Sequence, residues 1–478
     1  MTTLNSLFEP HRPSSTAVII PGEAPVHQSY HDLYWAASER AFAFLSMGVT
    51  KGDVIAMACG NNVNFLPIFL GATAVGAIAA PLNPAYKAAE FHAYFHRLSP
   101  VIVTVDDPTC TAAHVARARG IRVVAPGQRG ESPPRPPKDV EPSDTALALF
   151  TSGTTGDPKL VPLSHGNLLH SCSNIAGSYG LSSSDSTLVV MPLFHVHGLI
   201  GAALSTLYSG GAIILPPKFS ASSFWDQAVL ATWYTASPTI HHILTRLDPS
   251  EEEVRQCRQV GGPFRFIRSC SAALDPELRA WMEGRWKVPV VEAYGMTEAA
   301  HQVSTQRIGG GGEGTVGYGV GVGIEIRDGR IIISGPNVMD GYEGEAPLID
   351  GKLDTGDTGE MTEGGLRLLG RSKEMINRGG ETIAPLEIDT CLNSHPAVSE
   401  AVAFGVPDEK YGEVVHAAVI LCGPALEAQL IRFCETYLAD FKVPVRIHFV
   451  DEFPRTATGK VQRSALAGQL GEDNGSRP

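Results

Sequence analysis

The sequence predicts an α/β protein, with a large N-terminal domain built from βα units and a small α+β C-terminal domain. Apolar, strand-like runs alternate with helical stretches through the first half of the 478 residues. Such alternation is typical of buried, largely parallel sheets. A glycine-dense segment follows Gly309, and beyond residue 371 the chain has a short α+β pattern of its own. The length also favours several folding units over a single core.

The elements can be assigned in order along the chain. In the first part, strands are predicted at 53–60, 101–107, 186–193, 212–217, 264–270 and 288–295. The apolar run 65–82 contains glycines and small residues and is interpreted as a buried helix. The alternating stretch 324–333 has Asp-Gly at its centre and predicts a β-hairpin. In the last part, strands are expected near 398–406, 413–422 and 445–450, with a helix at about 424–441.

Composition and charge exclude several functions. A net charge of -13 leaves no broad basic face for nucleic acid. The eight cysteines lack CxxC spacing, which indicates reduced thiols and neither a disulfide framework nor a zinc site. The N-terminal residues lack a basic region followed by an apolar core, so no secretory signal is expected. No membrane span is expected, and the C-terminal GSRP differs from the peroxisomal tripeptide. Cytoplasmic localisation is therefore expected.

The segment LFTSGTTGDPKLVPLSHGNL, residues 149–168, has the composition of a phosphate-binding loop. Glycines let the backbone approach an anion closely, and hydroxyls and a lysine add donors. Its spacing differs from that of a P-loop. A flexible surface loop is the alternative. The candidate phosphate-binding residues are Ser152, Gly153, Thr154, Thr155, Gly156 and Lys159.

Further motifs follow this loop in order: YGMTE (294–298), DTGD (354–357), GRSKEMINRGG (370–380) and PRTATGK (454–460). Together they resemble the adenylate-forming enzymes, which include acyl-CoA synthetases, luciferases and the adenylation domains of peptide synthetases. The resemblance implies an AMP-binding domain at 1–370 with a distorted β-barrel subdomain, a hinge at 371–373 and a mobile C-terminal domain at 374–478. It implies ATP, Mg²⁺ and CoA as cofactors and substrates.

The resemblance also implies a role for each matched residue of the nucleotide site. The glycine-rich loop would hold the β- and γ-phosphates of ATP, and Glu298 with Thr154 would hold Mg²⁺. Tyr294 would stack on the adenine. Asp357 would accept both ribose hydroxyls, and Arg371 would contact ribose or phosphate. The other members of the nucleotide-binding set are Ser271, Ala272, Gly295 and Thr297.

The same resemblance assigns the residues of the C-terminal domain. Lys460 would lie between the carboxylate substrate and the α-phosphate. Lys373 would be the pivot of the domain rotation between the two half-reactions. Gly379 and Gly380 belong to the NRGGE loop that would line the pantetheine tunnel of CoA.

The acyl pocket is predicted from MPLFHVHGLIGAALSTL (191–207), RFIRSCSAALD (265–275) and MTEAAHQ (296–302). A fatty or aromatic acid would leave the polar groups of this pocket unpaired, at a cost of roughly 1–3 kcal/mol each. A substrate with a second carboxylate would provide hydrogen-bond partners for them. These segments look most like the oxalate–CoA ligases of plants and fungi. The pocket is predicted to be polar and able to carry positive charge, and its members are His195 (also a catalytic candidate), Arg268, Ser269, Ser271 and His301.

Several alternatives stay open. The alternative to the polar acyl pocket is that Arg268 pairs with a distant acid and that the histidines pack in the core. A metal at His195 and His197 is disfavoured because no third ligand lies nearby. Another small acid, or a carrier-protein thiol in place of CoA, would fit the same motifs. A catalytically silent nucleotide-binding protein is disfavoured because Lys460, Glu298 and Asp357 are all present.

Overall fold

The structure is a computed structural model that describes residues 3–9, 11–125, 139–151, 159–246, 250–251, 254–255, 264–372, 374–378, 381–408, 410–455 and 461–471. Its strands are β1 (Thr16–Ile20), β2 (Val26–Ser29), β3 (Val54–Ala58), β4 (Ile78–Pro81), β5 (Ile102–Val105), β6 (Arg122–Val124), β7 (Thr145–Thr151), β8 (Lys159–Ser164), β9 (Ser186–Leu188), β10 (Ala212–Ile214), β11 (Trp233–Ala236), β12 (Phe266–Ser269), β13 (Val290–Met296), β14 (His301–Thr305), β15 (Tyr318–Gly319), β16 (Gly323–Arg327), β17 (Arg330–Ser334), β18 (Leu353–Thr362), β19 (Gly365–Arg371), β20 (Ile376–Arg378), β21 (Glu381–Ile383), β22 (Val398–Asp408), β23 (Gly412–Leu421) and β24 (Arg446–Phe449).

The helices lie between and around the sheets that these strands form. They are α1 (Tyr30–Ser46), α2 (Phe65–Ala74), α3 (Ala88–Leu98), α4 (Thr111–Ala118), α5 (His165–Tyr179), α6 (Ser205–Tyr208), α7 (Phe224–Ala228), α8 (Pro238–Thr245), α9 (Pro276–Trp286), α10 (Pro385–Asn393), α11 (Glu427–Tyr437) and α12 (Arg463–Leu470). A π-helix, His197–Leu204, runs directly into α6. Among the described residues, no helix is long and apolar enough to cross a membrane.

The first sheet has the order β6-β5-β3-β4-β7-β8 and is parallel except for the β7–β8 pair. The predicted βα alternation is confirmed here. The interpretation of 65–82 as one helix is wrong, because α2 ends at Ala74 and Ile78–Pro81 is a strand. Gly76 lies between them with φ 74°, a left-handed conformation that ends the helix.

The second sheet is nine-stranded, with the order β15-β14-β13-β12-β11-β9-β10-β1-β2. Strands β1, β10, β9, β11, β12 and β13 run parallel, and β14 pairs antiparallel with β13. In open parallel sheets, ligands bind beyond the carboxyl ends of the strands. The segments that leave β12 and β13 at this edge carry the SCSAA and YGMTE sequences.

The third sheet is antiparallel, with the order β16-β17-β18-β19. Its first two strands form the predicted hairpin, and Asp328 and Gly329 both have positive φ, as a two-residue turn requires. The resemblance implied a distorted barrel, whereas these four strands form an open sheet in which β16 and β19 are the two edges. Asp357 on β18 pairs in register with Arg371 at the end of β19.

The C-terminal segment forms a fourth sheet with the order β21-β20-β23-β22, and β24 pairs with β23. Its strands and α11 lie close to the predicted ranges. Two separate apolar clusters pack on its faces, one around Ile388 and Leu430 and one around Phe404 and Leu466. This segment therefore has its own core, as a small α+β domain needs.

Candidate active site

The candidate site lies where β12 and β13 end, and its backbone is strained there. Ser271 has φ 79°, Ala300 has φ 46° and His301 has φ 89°. Residues other than glycine rarely adopt this left-handed region, and such strain is concentrated at functional sites. Gly295 allows the turn, because a Cβ at that position would lie 1.9 Å from the carbonyl oxygen of His301.

The predicted ribose site is formed by three residues from β13, β18 and β19. The Tyr294 hydroxyl donates a hydrogen bond to Asp357 Oδ2, and Arg371 Nε lies 2.8 Å from Asp357 Oδ1. Both carboxylate oxygens are thus engaged. Burial and the neighbouring Asp357 charge raise the pKa of Tyr294 well above its ordinary value. A ribose diol would have to replace these two internal donors.

The predicted magnesium ligand Glu298 lies in a 3₁₀ turn directly after β13 and is buried. Its Oε1 accepts a hydrogen bond of 2.8 Å from the Tyr342 hydroxyl. Lys159, from the edge of the glycine-rich loop, forms an ion pair of 2.9 Å with Glu345. Its ammonium also lies 4.3 Å from the centre of the Tyr342 ring. The structure therefore brings Lys159 and Glu298 to the same tyrosine.

Part of the predicted site lies outside the described residues. These positions are Ser152, Gly153, Thr154, Thr155, Gly156, Lys373, Gly379, Gly380 and Lys460. Of the predicted loop residues, Lys159 is described. Ala272 and Ser271 are exposed beyond β12, and Gly295 and Thr297 are half-buried around the turn after β13.

Arg268, a predicted acyl-pocket residue, is fully buried, with 0% of it exposed. Its Nε donates to the Tyr179 hydroxyl at 2.9 Å, and its Nη1 donates to Thr235 Oγ1 at 3.1 Å. Its Nη2 donates to Gln302 Oε1 at 2.7 Å. Among the described residues, no carboxylate pairs with it, so the alternative of a distant acid partner is not found there.

A buried charge with only neutral partners is costly. Burial disfavours the charged form of Arg268, but interactions with Tyr179 and Cys270 outweigh it and raise the pKa. The guanidinium therefore stays charged at neutral pH. Such a site favours an anion, because an anion supplies the missing countercharge.

His301 accepts a hydrogen bond from Arg268 Nη1 at 2.9 Å through its Nε2. Arginine only donates, so Nε2 carries no proton and the neutral ring holds its proton on Nδ1. Burial, together with the charge of Arg268, places the pKa of His301 well below its ordinary value. Gly201 in the π-helix makes room for this ring, because a Cβ there would lie 2.5 Å from Nε2.

His197 connects the buried charge to the exposed Ser271. Its ring nitrogens lie 2.9 Å from Ser271 Oγ and 2.7 Å from Thr235 Oγ1. The ring stacks on His301 with centroids 5.0 Å apart. Burial and the charge of Arg268 also lower the pKa of His197 well below its ordinary value. His197 is therefore a neutral link between Thr235 and Ser271.

The predicted pocket set contains two histidines that are neutral at pH 7. Burial lowers the pKa of His195 to about 4, and His301 is likewise neutral at pH 7. Among the predicted acyl-pocket residues, the positive charge at neutral pH is therefore carried by Arg268. Ser269 was expected to line the pocket but is 2% exposed, and its hydroxyl has no partner among the described residues. Among the described residues, no group of three histidine, cysteine, aspartate or glutamate side chains is placed to hold a metal ion.

Comparison with known proteins identifies the family. The AMP-binding enzyme profile matches residues 9–343, and the profile of the AMP-binding enzyme C-terminal domain matches residues 387–460. The chain belongs to the AMP-binding enzyme family. The resemblance to adenylate-forming enzymes is thereby confirmed.

Several characterised proteins are similar to this AMP-binding enzyme over most of their length. The oxalate–CoA ligase of Arabidopsis thaliana is 40% identical, covering 95% of each chain. The oxalate–CoA ligase of Saccharomyces cerevisiae is 38% identical, covering 95% of this chain and 94% of that one. ATP-bound MatB from Rhodopseudomonas palustris is 29% identical, with a TM-score of 0.90 over 99% of this chain and 100% of that chain. The apo form of MatB gives a TM-score of 0.79 over the same shares.

Four residues of this AMP-binding enzyme's site were missed from the sequence. Tyr179, Thr235 and Gln302 hold the guanidinium, and Tyr342 holds Glu298. Gln302 directly follows the predicted pocket residue His301, and this position in the sequence could have indicated its role. Tyr179 and Thr235 lie 89 and 33 positions before Arg268, so no spacing pattern points to them.

Glu292, two residues before Tyr294, gives a prediction about the stability of this AMP-binding enzyme. Burial raises its pKa from 4.5 to about 7, although Arg279 Nη1 lies 3.1 Å away and acts in the opposite direction. Since the folded pKa is raised, Glu292 favours the folded state below pH 4.5, and this contribution is lost as pH rises toward 7. Glu292→Gln is expected to raise the melting temperature, relative to wild type, more at pH 8 than at pH 5. Equal differences at both pH values would contradict the shifted pKa.

Proposed function

We propose that this AMP-binding enzyme is an ATP-dependent oxalate–CoA ligase. It joins a carboxylate of oxalate to the α-phosphate of ATP and releases pyrophosphate. The oxalyl group then passes from the adenylate to the thiol of CoA, and AMP is released. The similarity to two oxalate–CoA ligases, at 38% and 40% identity, supports the reaction class.

The observation that carries the choice of acid is the buried charge of Arg268. Oxalate keeps a second ionised carboxylate at neutral pH while the first one reacts. That carboxylate compensates the guanidinium, and the Nδ1 proton of His301 and the hydroxyl of Ser271 are donors for its oxygens. A monocarboxylic acid of similar size provides no such countercharge, so the site discriminates by charge rather than by volume.

The first half-reaction needs alignment of two anions and no general base, because the attacking carboxylate is already ionised. Lys460 neutralises charge between the acid and the α-phosphate. Asp357 exchanges the Tyr294 hydroxyl and Arg371 for the ribose hydroxyls, and this exchange frees Arg371 for ribose or phosphate. His195 borders the acyl group as a neutral ring.

Mg²⁺ is a proposed cofactor, and the chemistry of Glu298 fits it. Glu298 is a buried carboxylate that makes no ion pair with any described lysine, arginine or histidine, which suits a divalent cation. The ion would neutralise phosphate charge when bound. Glu298 is its proposed protein ligand, with help from Thr154.

The domain division 1–370, 371–373 and 374–478 is part of the same proposal. The chain superposes better on the ATP-bound form of MatB than on the apo form, with TM-scores of 0.90 and 0.79 over the same shares of each chain. This difference supports an arrangement suited to the adenylation step. Lys373 is the proposed pivot for the second half-reaction.

A substrate panel tests the proposed function. AMP release is measured with CoA and oxalate, malonate, acetate, glyoxylate, hexanoate or 4-coumarate. Oxalate is expected to react well ahead of the others. Activity with hexanoate or 4-coumarate and none with oxalate would overturn the acid assignment. Replacing CoA by a carrier protein tests the acceptor, and thioester formation on the carrier alone would overturn the CoA assignment.

Replacement of His301 by alanine is expected to raise the KM for oxalate more than the KM for a monocarboxylate. The lost donor raises the KM for oxalate about tenfold, which corresponds to one hydrogen bond to a charged group. The KM for acetate changes little, because acetate has no second carboxylate. Steady-state kinetics with both acids measure the ratio. An equal effect on both acids would remove His301 from the distal-carboxylate site.

A further inference from the structure

The segment 339–343, which follows β17, is hydrogen-bonded both to Glu298 and to strand β8. Met339 N donates to the carbonyl oxygen of Glu298 at 2.8 Å, and Glu343 N donates to the carbonyl oxygen of Leu160 at 3.0 Å. Leu160 is the second residue of β8, which begins where the glycine-rich loop ends. The segment 339–343 therefore holds together the metal-binding turn and the strand that carries Lys159.

We infer that Tyr342 is a positioning residue that orients Glu298 for Mg²⁺ and holds Lys159 for the nucleotide phosphates. This inference rests on the proposed function. Tyr342 acts through its neighbours and is not itself a catalytic residue.

The hydroxyl of Tyr342 determines the orientation of the Glu298 carboxylate. It donates to Oε1 at 2.8 Å, while no described residue donates to Oε2. Oε2 is therefore the oxygen available to a cation. A carboxylate that is already oriented loses less side-chain entropy when it binds an ion.

The ring of Tyr342 has a second role, toward Lys159. The ammonium lies 4.3 Å from the ring centre and is paired with Glu345 at 2.9 Å. The Lys159 side chain is 37% exposed and that of Glu345 is 50% exposed, so this ion pair is weak and a phosphate can displace Glu345. The ring contact does not depend on Glu345, and it holds the ammonium against Tyr342 during this exchange.

Two substitutions separate the hydroxyl from the ring. Tyr342→Phe removes the bond to Glu298 and keeps the surface beneath Lys159, whereas Tyr342→Leu removes both. ATP binding is measured by calorimetry in EDTA and in MgCl₂, without acid or CoA. Tyr437→Phe, at a tyrosine that is 68% exposed, is the matched control.

For Tyr342→Phe, we expect the ATP affinity in EDTA to be unchanged. The factor by which Mg²⁺ increases the ATP affinity should fall about tenfold, which is the effect of one hydrogen bond to a charged group. Tyr342→Leu should also weaken binding in EDTA, by about threefold for the lost cation–π contact. Melting temperatures identify any variant that is unfolded.

A wild-type Mg²⁺ dependence in Tyr342→Phe would overturn the inference, and so would an equal loss in both buffers, since a purely structural role predicts the latter. The proposed function would stand in either case if wild type forms oxalyl-CoA. If wild type binds no ATP in either buffer, the proposed function fails and the inference falls with it.

Discussion

Replacing Arg268 by glutamine is expected to lower kcat/KM for oxalate by about 100- to 1000-fold, because leaving a buried anion without its countercharge costs roughly 3–4 kcal/mol. The guanidinium is the cation of the predicted acyl pocket and is held by Tyr179, Thr235 and Gln302. Removing it leaves the second carboxylate without a countercharge. The kcat/KM for acetate, which has no second carboxylate, is expected to fall far less.

The discrimination ratio between oxalate and acetate is the measurement that decides this prediction. The ratio does not depend on the fraction of folded enzyme, so partial destabilisation of the variant does not obscure it. Arg268→Lys provides the comparison, since it keeps the charge but loses the fork of donors. It should retain part of the discrimination. An unchanged ratio in Arg268→Gln would show that the buried charge does not select the acid.

Replacing Lys460 by alanine is expected to slow adenylation by about 100- to 1000-fold, the effect of removing one preorganised donor at a developing charge. The family resemblance of the motif PRTATGK predicts that this lysine lies between the acid and the α-phosphate. ATP affinity should remain close to wild type, because the proposed contacts are strongest in the transition state. Exchange of labelled pyrophosphate into ATP measures the adenylation step, and calorimetry measures binding.

Lys218→Ala is a suitable control for this variant, since Lys218 is an exposed lysine outside the matched motifs. It should show wild-type exchange. Adenylation at the wild-type rate in Lys460→Ala would refute the role assigned to Lys460. A parallel loss of ATP affinity would indicate a role in ground-state binding instead.

The order of the motifs and the local chemistry of turns were sufficient to predict much of this protein. The hairpin at Asp328 and Gly329 follows from two residues that tolerate positive φ. The βα alternation predicted the parallel sheets, and the ordered motifs indicated the family. Where one local signal competed with another the prediction failed, as in 65–82, where the apolar run outweighed the glycine that ends α2.

From the sequence alone came the chemistry-bearing residues, most of the strands and turns, and the family of the chain. Which of these side chains stay charged depends on how the folded chain packs around them. Arg268 stays charged while His195 and His301 are neutral, because burial and neighbouring charge set these pKa values, and both depend on packing. Contacts such as that between Tyr342 and Glu298 join residues 44 positions apart, and only the folded arrangement of sheets brings them within hydrogen-bond distance.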